Sequence, residues 1–501
     1  MTPADPDAAL AEAAAAHPAD SEALRQRHGP NWRWWVLLTV MIGTMASIMS
    51  STIVNVALPD MSRVFALGQE RAQWLSAGFM AAMTVSMLTT PWLLERAGYR
   101  RTYATAVALL MAGGIAGGLA GSYGLVLAMR VVEGLAAGVL QPIPAIIVMH
   151  AFARHEQGKA MSVFGMGVVL APALGPSIGG VLVEAFGWRS IFFVVVPLCL
   201  AALALAVRYL PHNAPGGRAV GTRGQRLDVA GLALMSVAIV ALLNGMVHLH
   251  DAVAGTAVAL LALALAAFAA FLWHQRRSAE PLMRLALFRQ RQFAAGSAVS
   301  FIYGAALFGS TYLVPVFMQI GLGLPPSQAG AVLLPAGLLL GVTIAVAGRL
   351  ADRLPVHWLV TFGVALLAAS FALMATVGAA TTLGTIVLWA IVGRIGLGFV
   401  LPSLNLGAMR SLPTELISHA SSSINFVRQL GGAIGVGLAG IFLQWRLHAH
   451  GVALGAAADA ASSAPRLAAF HETFLMIALV TVLAVAAAWR MREPQLAAAA
   501  A

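Results

Sequence analysis

The chain has 501 residues, of which 60% are hydrophobic and only 10% charged, and its mean hydropathy is +0.84. That balance excludes an ordinary soluble globular protein, in which about a quarter of the residues are charged. The formal net charge of +11 would suit nucleic acid if the basic side chains clustered on one surface, but their spacing along the chain fits membrane topology instead.

Residues 1–33 are rich in alanine and acidic side chains and lack the basic start and cleavage site of a signal peptide. They read as a cytoplasmic tail. Fourteen stretches then meet the roughly 20 apolar residues that one crossing needs. Six lie at 35–58, 74–94, 103–121, 125–149, 160–183 and 190–209. Two follow at 229–248 and 253–274, and the last six at 293–319, 327–350, 356–377, 383–410, 420–444 and 470–489. Threading these through a bilayer puts 22 of the 30 Lys and Arg on one side and five on the other, with three inside spans. The positive-inside rule makes the richer side cytoplasmic and places both termini there. The only sizeable external loop is then Gln444 to Phe470, a candidate surface for another protein.

The two ends of this series repeat. Glu95-Arg96 follows the second span and Asp352-Arg353 the tenth; two spans further on come Arg130 and Arg394. The separations, 257 and 264 residues, are nearly equal. The expected fold is therefore an all-α integral membrane protein of fourteen transmembrane helices. Residues 34–210 and 293–490 form two six-helix halves, 211–292 carry two inserted helices with cytoplasmic links, and 491–501 form a cytoplasmic tail.

The chemistry-bearing residues sit mostly inside spans. Arg130 falls where an arginine costs about 3 kcal/mol on insertion scales, so it needs a cavity or a partner. Glu133, three residues on, lies on the same helix face; a structural ion pair and a proton-coupling pair are both open readings. Asn425, Arg428 and Gln429 are polar groups on the thirteenth span, suited to cavity lining or to interhelical hydrogen bonds. Cys199 is the single cysteine, so no intramolecular disulfide forms. His248, His250 and Asp251 lack a second ligand pair at metal-binding spacing. No GxxxxGK[ST] loop is present and Lys159 is the only lysine, so ATP-driven transport lacks support and no cofactor is expected.

Several runs resemble those of a known family. The run from Pro91 to Arg101, PWLLERAGYRR, resembles the loop motif GxLaDrxGrr of the major facilitator superfamily, with Pro91 at its first glycine and Glu95 at its aspartate. RVVEGLAAG from Arg130 resembles the RxxxG motif of the fourth helix, and APALGPSIGG (Ala171 to Gly180) the antiporter motif of the fifth. MSSTIVNVALP (Met49 to Pro59) is similar to the fourteen-helix drug-exporter signature LDxTIVNVALP, with Ser50 in place of the aspartate. Together these identify the chain as a member of the EmrB/QacA-like drug:proton antiporters.

That resemblance implies the major facilitator fold and a secondary exporter of small amphipathic compounds, in the bacterial inner membrane and driven by the proton gradient. The motif's arginine, here Arg130, would take part in proton coupling, and Glu133, the acid lying well inside a span, is the candidate to carry the proton in place of the aspartate that Ser50 replaces. Glu95, Arg96, Gly98, Arg100, Asp352 and Arg353 would form the gate, with Glu95 pairing with arginines across it. Gly175, Pro176, Gly179 and Gly180 would let the fifth helix bend and its neighbour approach closely. Asn55, Gln141, Tyr303, Tyr312, Gln319, Asn405, Asn425 and Arg428 are the candidate cavity residues. The lipid bilayer is the expected surrounding partner, and nucleic acid is not expected. Two alternatives remain: the membrane subunit of an assembly with a periplasmic membrane-fusion adaptor, and a metabolite exporter or uptake symporter.

Overall fold

The computed structural model describes residues 19–213, 220, 226–249, 254–324, 326–378, 381–452 and 460–492, and these are helical without strands. A short polar helix, α1 (Ala19–His28), comes first. The first half then comprises α2 (Trp32–Val64), α3 (Gln69–Ser86), α4 (Thr90–Gly118), α5 (Tyr123–Leu140), α6 (Ile143–Ala151), α7 (Gln157–Phe186), α8 (Ser190–Phe193) and α9 (Val195–Tyr209). The inserted pair is α10 (Val229–His248) and α11 (Ala254–Arg277). The second half comprises α12 (Arg291–Val316), α13 (Pro326–Ala351), α14 (Val356–Met374), α15 (Leu383–Met409), α16 (Ile417–Ala449) and α17 (Ala460–Trp489). Among the described residues, 11 helical segments are long and apolar enough to cross a membrane, and Pro335–Ala351 is a shorter apolar helix. The chain is a multi-pass membrane protein.

Apolar runs become helices in a bilayer because a helix satisfies its own backbone polar groups. The breaks fall where the sequence withholds an N–H or admits a left-handed residue. Gly98 has φ 74°, and a Cβ there would lie 1.9 Å from the carbonyl oxygen of His212, so α4 changes direction at a position only glycine fills. The expected single span 125–149 is split at Gln141–Pro142 into α5 and α6. Shortly after Pro315, α12 gives way to a π turn, Phe317–Gly321.

The expected external loop from Gln444 to Phe470 is mostly helix, since α16 runs to Ala449 and α17 starts at Ala460. Alanine favours the helix there, and Arg446 ties the two extensions by donating from Nη2 to Glu472 Oε1 at 2.6 Å. Residues 453–459 within that stretch lie outside the described residues, as do His250 and Asp251.

In the first half α2 lies along α7 and α3 along α5; in the second, α12 lies along α16 and α14 along α15. The halves meet at two seams, α7 against α13 and α16 against α3, α4 and α6. The inserted helices lie side by side, with α10 against α3. Asp228 anchors them: Oδ1 accepts from the Gly231 N–H at 2.8 Å and contacts His274 Nε2 at 2.7 Å, while Gln275 Nε2 donates to Oδ2 at 2.7 Å. Burial disfavours the Asp228 charge, but these hydrogen bonds outweigh it and hold its carboxyl below the usual carboxylate range.

Candidate functional site

Arg130 and Glu133 project from α5 into the first half and are almost completely buried, each 1% exposed. Arg130 Nη1 donates to Glu133 Oε2 at 2.6 Å and to Ser50 Oγ of α2 at 2.9 Å. Its Nε donates to the Leu75 carbonyl of α3 at 3.2 Å, and the guanidinium lies 4.3 Å from the centre of the Phe79 ring. Four helices therefore converge here. The fourth, α4, comes close through Gly113 and Gly114: Cβ atoms there would lie 2.8 Å from Glu133 Cγ and 3.3 Å from Glu133 Oε1. Two polar atoms are left over, since Arg130 Nη2 and Glu133 Oε1 are buried without a hydrogen-bond partner. A carboxylate with one oxygen held by a cation and the other open has room for a proton without losing its partner.

The two acid–arginine pairs of the gate behave differently. Asp352, just past the end of α13, reaches into the other half and accepts from the N–H groups of Gly158 at 2.7 Å and Lys159 at 2.9 Å, in the first turn of α7. Arg410 Nη2 lies 3.3 Å from the same carboxylate. An anion at a helix N-terminus is stabilised both by the free N–H groups and by the helix dipole. Glu95 forms no such bridge: it makes no ion pair among the described residues, and its Oε2 is buried without a hydrogen-bond partner. The expected pairing of Glu95 with arginines across the gate is not seen among the described residues. Its neighbours are engaged within their own half, because Gly98 turns the loop onto the segment after α9. Arg100 Nε donates to the Leu210 carbonyl at 2.7 Å and its Nη1 lies 2.6 Å from His212 Nε2. Arg96 stacks over Trp92, its guanidinium 5.5 Å from the ring centre, and Arg353 is exposed.

The α7–α13 seam is tight at the Asp352 end. Cβ atoms at Gly158 and Gly165 would lie 2.1 Å from the Gly348 carbonyl oxygen and 2.8 Å from Ile344 Cγ2. Further along, Gly337 and Gly341 on α13 and Gly180 on α7 have no atom of the described side chains within 4 Å of a Cβ. The halves are thus joined at the Asp352 end of the bundle. The same end is held at the second seam, where Ser421 Oγ of α16 donates to the Pro142 carbonyl at 2.9 Å.

The antiporter-motif glycines face α2. A Cβ at Gly175 would lie 2.6 Å from Thr52 Oγ1 and one at Gly179 2.6 Å from Ile53 Cγ1, so the close approach is present. The expected bend is not marked by a break, since α7 is one helix through the motif. The ring of Pro176 lies outside the described side chains.

A cavity of about 360 Å³ opens between α2, α3, α10, α12 and α16. Its walls are mainly apolar, with Met80, Leu243, Phe308 and Leu430 among them, and Asn55, Gln73, Ser76, Thr84 and Gln429 supply polar atoms. Asn55 Oδ1 accepts from Ser76 Oγ at 2.7 Å. Of the cavity candidates read from the sequence, Asn55 lines this space. Gln141 sits at the α5–α6 break, Tyr312 faces Gly440 of α16, Gln319 is exposed in the π turn and Asn405 is buried on α15. Tyr303, Asn425 and Arg428 group together elsewhere in the second half: Arg428 Nη2 donates to Asn425 Oδ1 at 2.5 Å, and Tyr303 lies within the field of both Arg428 and Arg394. Sequence reasoning missed the α10 wall (Ile239, Leu242 and Leu243), because these are apolar residues on a largely apolar helix and carry no signal that they meet a cavity.

The family model described as Major Facilitator Superfamily matches residues 40–436. The tetracenomycin C resistance and export protein of Streptomyces glaucescens is 30% identical over 416 residues, covering 83% of this chain and 76% of its own. The multidrug resistance protein B homolog of Mycobacterium tuberculosis is 30% identical over 428 residues, covering 82% and 77%. Among solved structures, the proton:xylose symporter XylE superposes with a TM-score of 0.62 at 14% identity, covering 91% of this chain and 95% of its own; that likeness is one of fold.

Proposed function

We propose that this chain, which belongs to the Major Facilitator Superfamily, exports small amphipathic compounds, drugs among them, in exchange for protons. The observation that carries the coupling is the buried Arg130–Glu133 pair, whose Glu133 Oε1 is open while Oε2 is held. The export direction is supported by relatives named for resistance and export and by the antiporter-motif run on α7. Alternating access would rock the two halves about the cavity region. The joined Asp352 end corresponds to one extreme of that motion.

The fourteen-helix, EmrB/QacA-like form of the fold fits the same features. One of the 11 segments, Arg71–Gly118, is 48 residues long and turns at Gly98. At 1.5 Å per residue it is about 70 Å of helix, more than twice the roughly 30 Å apolar thickness of a bilayer, and so supplies two crossings. The 30 residues of α7 and the 26 of α13 supply two more, giving fourteen. With the basic asymmetry of the loops, the termini and the Asp352 end lie in the cytoplasm of a bacterial inner membrane, which makes the state described outward-facing.

The reading is tested by growing cells with and without the gene on a panel of toxic amphipathic compounds, with and without an uncoupler. Raised tolerance and lowered accumulation of some of these compounds, both abolished by the uncoupler, are expected. Unchanged tolerance and accumulation across the panel would count against export.

A further inference from the structure

We propose that the 360 Å³ cavity is a substrate site for uncharged compounds, flat apolar bodies that carry carbonyl or hydroxyl groups, and that the inserted helix α10 forms its size-setting wall. The proposal rests on the export reading and narrows its substrate class.

Each bordering helix offers the cavity one stripe of its surface. On α3 the stripe is Gln73, Ser76, Ala77, Met80 and Thr84, at the i, i+3, i+4, i+7 and i+11 spacing of a single helix face. Ile239, Leu242 and Leu243 form a shorter stripe of the same kind on α10. That helix is held from both halves. Met235 and Ile239 share a buried cluster with Ala81 and Val85 of α3 and Phe426 of α16. A Cβ at Gly437 of α16 would lie 2.5 Å from Met246 Sδ, so α10 also sits directly on the α16 backbone. Val237 and Val240, off the cavity stripe, are exposed. The inserted helix therefore walls the cavity off from its surroundings. The remaining walls come from both halves, α2 and α3 from the first and α12 and α16 from the second, so rocking of the halves would change this space.

What lines the cavity sets its chemistry. Among the described residues no Asp, Glu, Lys, Arg or His does. An ion entering it from water would lose hydration and gain no counter-charge. Neutral polar groups are present instead, the carboxamides of Asn55, Gln73 and Gln429 and the hydroxyls of Ser76 and Thr84. Gln429 is buried, and its Nε2 donates to the Met80 sulfur at 3.7 Å. A thioether is a weak acceptor, and a carbonyl oxygen in the cavity would serve that amide better. Asn55 Oδ1 already accepts from Ser76 Oγ, which fixes the Asn55 amide for a ligand. A lipid tail would satisfy none of these groups. The flat body is met by Phe308, whose ring lies against α16 because Gly432 has no side chain; a Cβ there would fall 2.3 Å from Phe308 Cδ2.

Three probes with one apolar body test the site: the neutral 1-pyrenebutanamide, the anionic 1-pyrenebutyrate and the cationic 1-pyrenebutylamine. Binding to the full-length chain in nanodiscs of zwitterionic lipid is read by equilibrium dialysis against empty discs, and uphill transport from proteoliposomes. The wild type should bind the amide about tenfold or more tighter than either ion. Leu243→Trp fills the cavity from α10 and should weaken amide binding about tenfold or more. Val237→Trp, on the exposed side of the same helix, should leave it within about twofold. Gln429→Glu should reverse the ranking in favour of the amine, and it decides the matter if the Leu243 variant fails to fold. An ion bound by the wild type as tightly as the amide would overturn the site, as would an unaltered ranking in Gln429→Glu. So would amide binding that Leu243→Trp leaves unchanged, the result expected if lipid tails fill the space. Uphill export of an ion with no binding of the amide would remove this site and leave the export reading. Leu243-dependent binding of the amide with no uphill transport of any probe would leave the site and remove that reading.

Discussion

Gly158 of α7 and Gly348 of α13 cross so closely that a Cβ on either would lie 2.1 or 2.3 Å from the other's carbonyl oxygen. No side chain fits at either position. That approach also brings the first turn of α7 within reach of Asp352, so backbone contact and a charge-assisted latch close the same end of the bundle.

A bulky residue at the crossing should hold that end open. Gly348→Leu is expected to reach the membrane but to lose export. A cysteine placed at Ser421, which is buried at the second seam, should label faster than in the unaltered background, with Cys199 replaced by alanine in both. Unchanged labelling together with full export would show that the crossing is not part of the cycle.

The latch itself makes a graded prediction. Hydrogen bonds to a charged group contribute about 1.5–3 kcal/mol each, so Asp352→Asn should raise labelling at the same position by about tenfold or more. Glu95→Gln should change it little, because Glu95 makes no ion pair among the described residues. Equal effects from the two substitutions would contradict the asymmetry described above.

Along α7 the motif glycines divide by what they touch. Gly175→Leu drives a side chain into Thr52 and should abolish export in a protein that still reaches the membrane. Gly180→Ala meets nothing within 4 Å among the described side chains and should leave export near the wild-type level. Efflux assays on equal amounts of membrane protein check both, and full export by Gly175→Leu would remove the motif from the mechanism.

The contrast between Glu95 and Asp352 shows where the sequence stops being informative. Both stand in repeated loop motifs, so their equivalence was the natural expectation. Which of them latches depends on how the two halves meet, and that is set by the Gly158–Gly348 crossing, 190 residues apart in the chain. The Arg130–Glu133 pair was legible because helical spacing puts the two on one face and burial demands a partner. Its link to Ser50 bridges 80 residues and has no local signal. Gln319, read as a cavity residue from its polarity, stands exposed in the π turn just after Pro315. Polarity marked which residues have work to do inside the membrane; packing between distant helices decided where each one points.

The inserted helices give a pH prediction. With its folded carboxyl held low, Asp228 adds stability that is fully present above the ordinary carboxylate value of about 4 and is lost as pH falls through the lower folded value. Asp228→Ala also removes an N-cap, at a cost of about 0.5–2 kcal/mol. Thermal unfolding of the two proteins should differ at neutral pH and converge as the solution is acidified. A constant difference down to the lowest pH would mean that the charge contributes nothing.

The most direct test of the account is uphill transport by Glu133→Gln in proteoliposomes under an imposed pH gradient. The wild type should concentrate substrate against its gradient and stop when an uncoupler is added. Glu133→Gln keeps a hydrogen-bonding partner for Arg130 but has no exchangeable carboxyl, so it should bind substrate and fail to concentrate it. Adding Ser50→Asp, which sets a new acid at the position 2.9 Å from Arg130 Nη1, should restore part of the coupling. Glu133→Gln that still pumps uphill with an unchanged pH dependence would contradict the claim that this pair carries the proton.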